Sequence, residues 1–569
     1  MIIACLLIAI WLIALFGWGV LFERLIGEDP SKYSDPTNRT ALRILIGHLP
    51  VVGLGYLVHL AVPLAGWPGI LVVVLGWIST LFVVGKARWE GPCLALFGGV
   101  FILVAAFCSR LMIHGDSGGY HTQAILWMAE EPVVRGLANL TTAYGYNTSW
   151  WILAALMAWL GGIPSGAALV SAPVMVATGV LLVSALLRIL RAKASPADWF
   201  WVPALYLWLR QVVGVNTPSP TTDIPANLLI LTAIWGLLQT GKKPLIEQIT
   251  GPGGRHFLAL ALLASTAKLS ASPLLAAGLI WLAAAWAFQL CSSRYDDRNR
   301  MIASFVRLLP LGGCGIIFLY HGWLLSGYPL FPSTIGGWFA VPWQIPGWLA
   351  DHTVARTRDW AFTFGASAEQ MRSTPAWRIW LDGQSGWTNV AIASIAGLAA
   401  VSGCVLILRD RRHLPALLQF LWLPVLISAV GFAWNFSQVP ALRFASGFVF
   451  GLLGCGFAAV GVQMNRPLGK IAVLVWCVLC IGALVKLAVA RPIALVHLPE
   501  PQPPDTLTQR TTREGLEVYI SNFAWFAPKP AIVDYEFDEN LITQRSADGR
   551  IIEFRGGKLP SAMSEKATP

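Results

Sequence analysis

CLALFGGVFILVAAF (Cys93–Phe107) leads into HGDSGGYHTQAILWMAEEPVVRGLANL (His114–Leu140), and that stretch leads on to SWWILAALMAWL (Ser149–Leu160). An acid, two histidines, two glutamates and an arginine thus lie between apolar segments. The flanks decide the fold class. Of the 569 residues, 56% are hydrophobic and only 12% are charged, more apolar surface than a water-soluble domain can bury. Runs of about 18 or more apolar residues read as membrane helices. The nine cysteines lie in or beside apolar runs without metal-ligand spacing, which argues against a disulfide framework or a zinc site. The net charge of +11 reads as basic cytoplasmic loops rather than a nucleic-acid surface.

Those basic clusters set the topology. They fall at Arg39/Arg43, Lys86/Arg88, Arg188/Arg191/Lys193, Lys242/Lys243/Arg255, Arg294/Arg298/Arg300, Arg409/Arg411/Arg412 and Arg466/Lys470. Placed in the cytoplasm, they leave crossings near 2–22, 42–62, 67–85, 93–109, 166–188, 197–213, 225–240, 257–271, 273–291, 304–325, 387–408, 414–434, 441–463 and 470–490, with both termini outside. SWWILAALMAWL falls short of the roughly 20 residues a crossing needs. Counting it would invert every later loop, so it reads as a re-entrant or interfacial helix. The first run, MIIACLLIAIWLIALFGWGVLF, lacks a basic n-region and a small-residue cleavage site and reads as a retained helix. The predicted fold is an all-α polytopic membrane protein with about 14 transmembrane helices, juxtamembrane or re-entrant helices, and a small α/β extracytoplasmic C-terminal appendage.

Three polar regions then share one side: the opening stretch with Asp116, GVNTPSPTTDIPANLL with Asp223 just before a helix, and the loop 326–386 that starts SGYPLFPS. Lys268 in ASTAKLSASP and Arg443 in VPALRFASGF fall on that side too. Each has a plainer reading. Asp116 suits a turn in GDSGG, and Asp223 stands where a first-turn acid favours the helix dipole. Lys268 interrupts an apolar run, which is costly and points to function, unless it snorkels to the interface. Arg443 anchors a helix entrance. His114 and His121 lack a metal-binding helical spacing and read as solvated loop histidines. Trp150, Trp151, Trp338, Trp343, Trp348 and Trp360 read mostly as an interfacial belt.

The stretches GDSGGYH, PVVRGLANL, GYNTSWW, SPTTDIPANLL, AKLS, SGYPLFPS, VPWQIP and VPALRF resemble the GT-C superfamily of polytopic glycosyltransferases, in its bacterial branch. The resemblance covers roughly 93–450 and, more weakly, the C-terminal tail. It implies a polyprenyl-phosphate-linked sugar donor, an acid in the first large external loop and a second acid in a later one. The chain has no WWD-type motif of oligosaccharyltransferases, and four apolar segments precede its first acid. Attack on an anomeric carbon needs a base near the acceptor, and Asp116 is the candidate. The leaving phosphate needs cations around its charge, and Lys268, Arg443 and Arg135 are the candidates. Asp223 completes the catalytic pair, orienting the acceptor, holding a lysine or sharing a metal with Asp116. Tyr120, His121, Tyr328 and Trp343 are candidate substrate contacts. A single displacement implies inversion. The reading makes no cofactor certain and leaves a divalent cation, Mg or Mn, open.

The expected organisation is 1–92, N-terminal transmembrane helices; 93–325, the GT-C-like catalytic module with external loop 109–148; 326–386, an external loop with interfacial helices; 387–490, C-terminal transmembrane helices; and 491–569, the small extracytoplasmic domain and tail. In that last part a Pro-rich linker, LPEPQPP, precedes GLEVYISNF as a strand. A strand, a helical piece and a strand across Ala-Asp-Gly follow. The expected partners are the lipid-linked donor, membrane lipid and an extracytoplasmic glycan, lipid or protein acceptor. The expected location is the bacterial inner membrane, with the site on the periplasmic face. An O-antigen-type polymerase or ligase using diphosphate-linked donors, and a lipid or solute transporter, are the alternatives.

Overall fold

The computed structural model describes residues 1–27, 35–84, 91–240, 245–291, 295–363, 366–383, 414–461, 467–533 and 536–556. It is mostly helical. The chain runs α1 (Ile2–Leu25), α2 (Pro36–His59), α3 (Trp67–Val84), α4 (Gly91–Cys108), α5 (Thr122–Glu130), α6 (Ser149–Met157), α7 (Gly162–Leu169) and α8 (Ala172–Leu190). It continues α9 (Pro196–Trp199), α10 (Trp201–Val213), α11 (Asp223–Thr240), α12 (Leu245–Thr250), α13 (Pro252–Ala267), α14 (Ser272–Cys291) and α15 (Tyr295–Ser326). Then come α16 (Gly347–Thr363), α17 (Ala368–Ser373), α18 (Ala376–Gly383), α19 (Leu414–Gln438), α20 (Leu442–Gly461) and α21 (Pro467–Val489). Among the described residues, seven helical spans are long and apolar enough to cross a membrane, which makes this a membrane-embedded protein. Several other expected crossings are shorter helices; α10 has 13 residues and α13 has 16. The crossing expected at 387–408 lies outside the described residues.

Small residues let the first helices close on each other. A Cβ on Gly19 would lie 2.0 Å from the Arg43 carbonyl oxygen, and one on Gly47 would lie 2.0 Å from that of Leu15. Only glycine permits that backbone approach. Helix α2 starts on Asp35, whose carboxylate accepts from the Thr37 amide (2.8 Å), with Pro36 at the first helical position. Helix α6 is short and buried along its whole length, so it lies inside the bundle and not at a lipid interface. Trp150 and Trp151 are buried with it, not part of a belt. The Trp150 indole is satisfied there by donating to Ser171 Oγ (2.9 Å).

The bundle has two polar ends. At one, Arg43 pairs with Glu23 (2.7 Å), His256 reaches the same carboxylate (3.5 Å), and Arg188 bridges Asp35 and Asp198 (2.6 Å each). Sixteen residues along α2 from Arg43, about 24 Å at helical rise, His59 reaches the opposite end. There its Nε2 meets the Glu131 carbonyl (3.1 Å), and its own carbonyl accepts from Val133 (2.9 Å). The N-terminal residues join this second end. Ile2 donates to the Leu495 carbonyl (3.0 Å), and Ala494 donates to that of Ser109 (3.2 Å). Polar segments hundreds of residues apart thus gather at this second end.

The C-terminal appendage consists of short strands. β1 (Thr508–Thr511) pairs antiparallel with β2 (Glu517–Ile520), which pairs parallel with β3 (Ala531–Ile532). β4 (Ile542–Arg545) and β5 (Ile551–Arg555) form a separate antiparallel pair across Ala-Asp-Gly, with Gly549 at φ +85°. Between β3 and β4 Glu536 stands in a short helical turn, its amide donating to the Val533 carbonyl (3.1 Å). The appendage is docked on the first polar stretch. Trp525 donates its amide to the Gly118 carbonyl (2.9 Å), Arg135 exchanges main-chain bonds with Ile552 and Phe554 (3.1 and 2.8 Å), and the buried Glu536 carboxylate accepts from Thr141, the Thr142 amide (3.1 Å) and the Thr142 hydroxyl (3.0 Å).

Candidate active site

GDSGG is not a turn. Asp116 has helical backbone angles (φ −60°, ψ −28°) and leads into a π-helical turn, Ser117–His121, that continues as α5. Such wide turns are rare and concentrate at functional positions. A Cβ on Gly118 would lie 2.6 Å from the Trp525 ring, so this glycine lets the appendage close over the turn. The turn brings His114, Ser117 and His121 together. Ser117 Oγ lies 3.5 Å from Nδ1 of each histidine and 2.6 Å from Ser219 Oγ. The two imidazoles stack with centroids 6.0 Å apart. Neither is solvated: both are buried. Burial pulls His121 down to about 3 and also lowers His114, against the opposing pull of Asp116 and Asp223.

Four charged side chains from four parts of the chain meet beside this turn. Asp223, in the first turn of α11, forms an ion pair with Lys268, the residue that ends α13. Arg443, in the first turn of α20, lies between the two acids. Its Nη2 is 3.4 Å from Asp116 Oδ2, and its Nε is 3.7 Å from Asp223 Oδ2. His114 Nε2 faces the same Asp116 oxygen at 4.0 Å. The Asp223 carboxylate is thus spent on cations rather than on capping its helix. Lys268 does not snorkel; it is paired, and its ammonium lies 3.6 Å from the centroid of the Phe444 ring. Arg443 is flanked by Trp360 (4.5 Å) and Phe444 (4.9 Å). In the sequence Trp360 reads with the interfacial belt and Phe444 stands beside Arg443 in VPALRF, and neither is singled out as a site residue.

Each cation is held from behind. Asn227, one turn beyond Asp223, donates to the Arg443 carbonyl (2.9 Å) and accepts from the Gly447 amide (2.7 Å), which clamps the start of α20 to α11. Thr148 donates to the Ala267 carbonyl (2.7 Å), and Asn435 donates to that of Ser270 (2.8 Å), which fixes the chain on both sides of Lys268. The two acids differ in access. The Asp223 side chain is 6% exposed and that of Asp116 is 39% exposed.

Of the residues singled out in the sequence, Asp116, Asp223, Lys268, Arg443, Tyr120 and His121 come together. Tyr120 packs edge-on to His121 (4.4 Å). Arg135 is engaged elsewhere. Its guanidinium pairs with the buried Glu553 (3.1 Å) and lies over the Trp343 ring (5.2 Å), so it fastens the appendage. Trp343 is buried, with its indole donating to the Trp323 carbonyl (3.3 Å), and Tyr328 is buried, donating to the Ile345 carbonyl (3.1 Å). Both shape the loop after α15. Among the described residues, no group of three His, Cys, Asp or Glu side chains is set to share a metal ion. Arg443 stands between Asp116 and Asp223, and together with Lys268 it already compensates their two charges, an arrangement that does not fit a shared divalent cation.

Residues 1–450, which carry all four charged groups, match one protein family. The chain belongs to the family described as a domain of unknown function, DUF8201. No curated protein and no solved structure matches it. The family match ends before α21 and the appendage, so the Trp525 and Glu553 contacts are made by residues beyond it.

Proposed function

We propose that this protein is a membrane glycosyltransferase of GT-C type, moving a sugar from a polyprenyl-phosphate donor to an extracytoplasmic acceptor by inverting displacement. One observation carries the reading: Asp116, Asp223, Lys268 and Arg443, up to 327 positions apart, form a single charged cluster at one polar end of an apolar bundle. The exposure difference between the acids supports distinct roles. Asp116, at the accessible edge, takes the proton of the acceptor hydroxyl. Asp223, buried, holds Lys268 and Arg443 where the leaving phosphate develops charge. Arg443 offers a fork for phosphate oxygens and Lys268 a point charge.

The fuller topology belongs to the same proposal: about 14 crossings with basic loops in the cytoplasm, the appendage outside, and the site on the periplasmic face of a bacterial inner membrane. The test is transfer by the purified protein in lipid nanodiscs, given labelled sugars on polyprenyl monophosphate or on diphosphate carriers together with an envelope extract as acceptor. Transfer from the monophosphate donors is the expected result. Transfer from diphosphate donors alone points to a polymerase or ligase. Movement of lipid or solute with no new glycosidic bond points to a transporter.

A further inference from the structure

The charges of the cluster carry a consequence for the reaction. Asp116 and Asp223 bring two negative charges, and Lys268 and Arg443 bring two positive ones. With His114 neutral, the cluster sums to zero. A sugar phosphodiester adds one negative charge. On transfer, the acceptor oxygen bonds to the anomeric carbon, the bond from that carbon to the phosphate oxygen breaks, and a lipid phosphate monoester leaves. Fully ionised, the monoester carries one more negative charge than the diester. The acceptor hydroxyl has lost one proton, which balances the equation but must be held somewhere.

We propose that this proton passes from Asp116 to His114, so that a His114 imidazolium offsets the extra charge of the departing phosphate. The inference rests on the glycosyltransferase reading and assigns His114 a role through Asp116, as its positioning and proton-holding partner. Geometry supports it from both sides of the ring. His114 Nε2 faces Asp116 Oδ2 at 4.0 Å, too far for a hydrogen bond. Once Asp116 is protonated, closing by about 1 Å brings the two to an ordinary O–H···N distance. Behind the ring, Nδ1 lies 3.5 Å from Ser117 Oγ, which is itself bonded to Ser219 (2.6 Å). A proton on Nδ1, with Ser117 as its acceptor, leaves Nε2 free to receive. Arg443 shares the same Asp116 oxygen at 3.4 Å. If it turns toward the phosphate, Asp116 is left with His114.

The other charged or titratable groups facing His114 are His121 on its own turn, Asp223 on α11, Lys268 at the end of α13 and Arg443 on α20. Burial, the largest influence on His114, keeps it neutral at rest, with its proton affinity below the ordinary imidazole value. That is the state able to accept. Below its lowered pKa, His114 is already protonated and the relay is blocked. Transfer should therefore fall on an acid limb lying below about pH 6.5.

The experiment compares wild type, His114→Asn and His114→Gln in nanodiscs across pH, and measures inhibition by polyprenyl phosphate and by a non-transferable phosphodiester analogue of the donor. The expected variants lose roughly 10²-fold in transfer rate, lack the histidine acid limb, and bind the monoester about tenfold more weakly while binding the diester as wild type does. A variant that transfers with wild-type rate and an unaltered acid limb overturns the inference while leaving the glycosyltransferase reading intact. Absence of transfer by the wild-type protein from every donor defeats that reading itself. Should neither variant fold, the acid limb of Asp116→Glu decides. Retention of a limb from the same group supports the relay, and its loss contradicts it.

Discussion

The two polar ends of the bundle hold ion clusters of similar composition and different construction. At the Arg43 end, the Glu23 carboxylate is 2% exposed, Arg43 is 10% exposed, and their contact is a close 2.7 Å. His256 fills the remaining side of the acid. This cluster is closed, and its chemistry ends with its own members. At the Arg443 end, the contacts around Asp116 are 3.4 and 4.0 Å, and both Asp116 and Arg443 keep more than a third of their side-chain surface exposed. Only the inner pair, Asp223 with Lys268, is tight. A structural ion cluster is shut away from solvent by its own members. A functional one leaves capacity at the rim and fixes its members from behind, here through Asn227, Thr148 and Asn435.

The contrast breaks most sharply by removing a partner from the closed end. Arg43→Met leaves Glu23 buried with His256 alone, and loss of one member of a buried pair typically costs about 3–5 kcal/mol. Thermal or denaturant unfolding in nanodiscs should show that loss, while donor affinity of the folded fraction stays unchanged. At the open end the effects reverse. Lys268→Met should weaken donor binding by roughly 10- to 100-fold, the worth of one charge-assisted bond, while Arg443, still facing Asp223, limits the loss of stability. Unaltered donor affinity in a folded Lys268→Met protein removes Lys268 from the phosphate site.

Asn227→Ala tests whether fixing from behind matters. It leaves the charges in place and frees the start of α20, and the unsatisfied groups cost about 1–3 kcal/mol. Donor affinity should fall by several-fold, with little effect on the titration of the rate. The smallest effect is expected from Arg513→Ala in the appendage. Arg513 pairs with Glu539 (2.7 Å) with both side chains well exposed, and exposed pairs contribute about 0–1 kcal/mol. Limited proteolysis of the C-terminal tail should change slightly, and transfer not at all. A large loss of transfer would make the appendage part of the site.

The convergence of Asp116, Asp223, Lys268 and Arg443 was legible because membrane sequences advertise it. Basic loops assign sides, and a lysine inside an apolar run needs a reason to be there. Arg135 was misread for the same reason that the four were found. Sequence gives an arginine a side but not a partner, and Glu553 lies more than 400 positions away, across a parallel bridge to β5. The burial of His114 and His121 was hidden by the glycines around them, which suggested a loop where the chain makes a π-turn beneath Trp525. Trp150 and Trp151 look like interface residues by type and are core residues by packing. The pairing of β4 with β5 is not revealed by a local pattern.

The central claim is that the accessible acid does chemistry while the buried acid holds cations. It is tested most directly by single-turnover transfer in Asp116→Asn, with donor binding measured on the same preparation. The substitution keeps the shape of the side chain and removes its capacity to take a proton. The account predicts donor binding equal to or tighter than wild type and a transfer rate lower by about 10²–10⁴-fold. Near-normal transfer in Asp116→Asn, with Asp223→Asn the more damaging change to turnover at saturating donor, would contradict it.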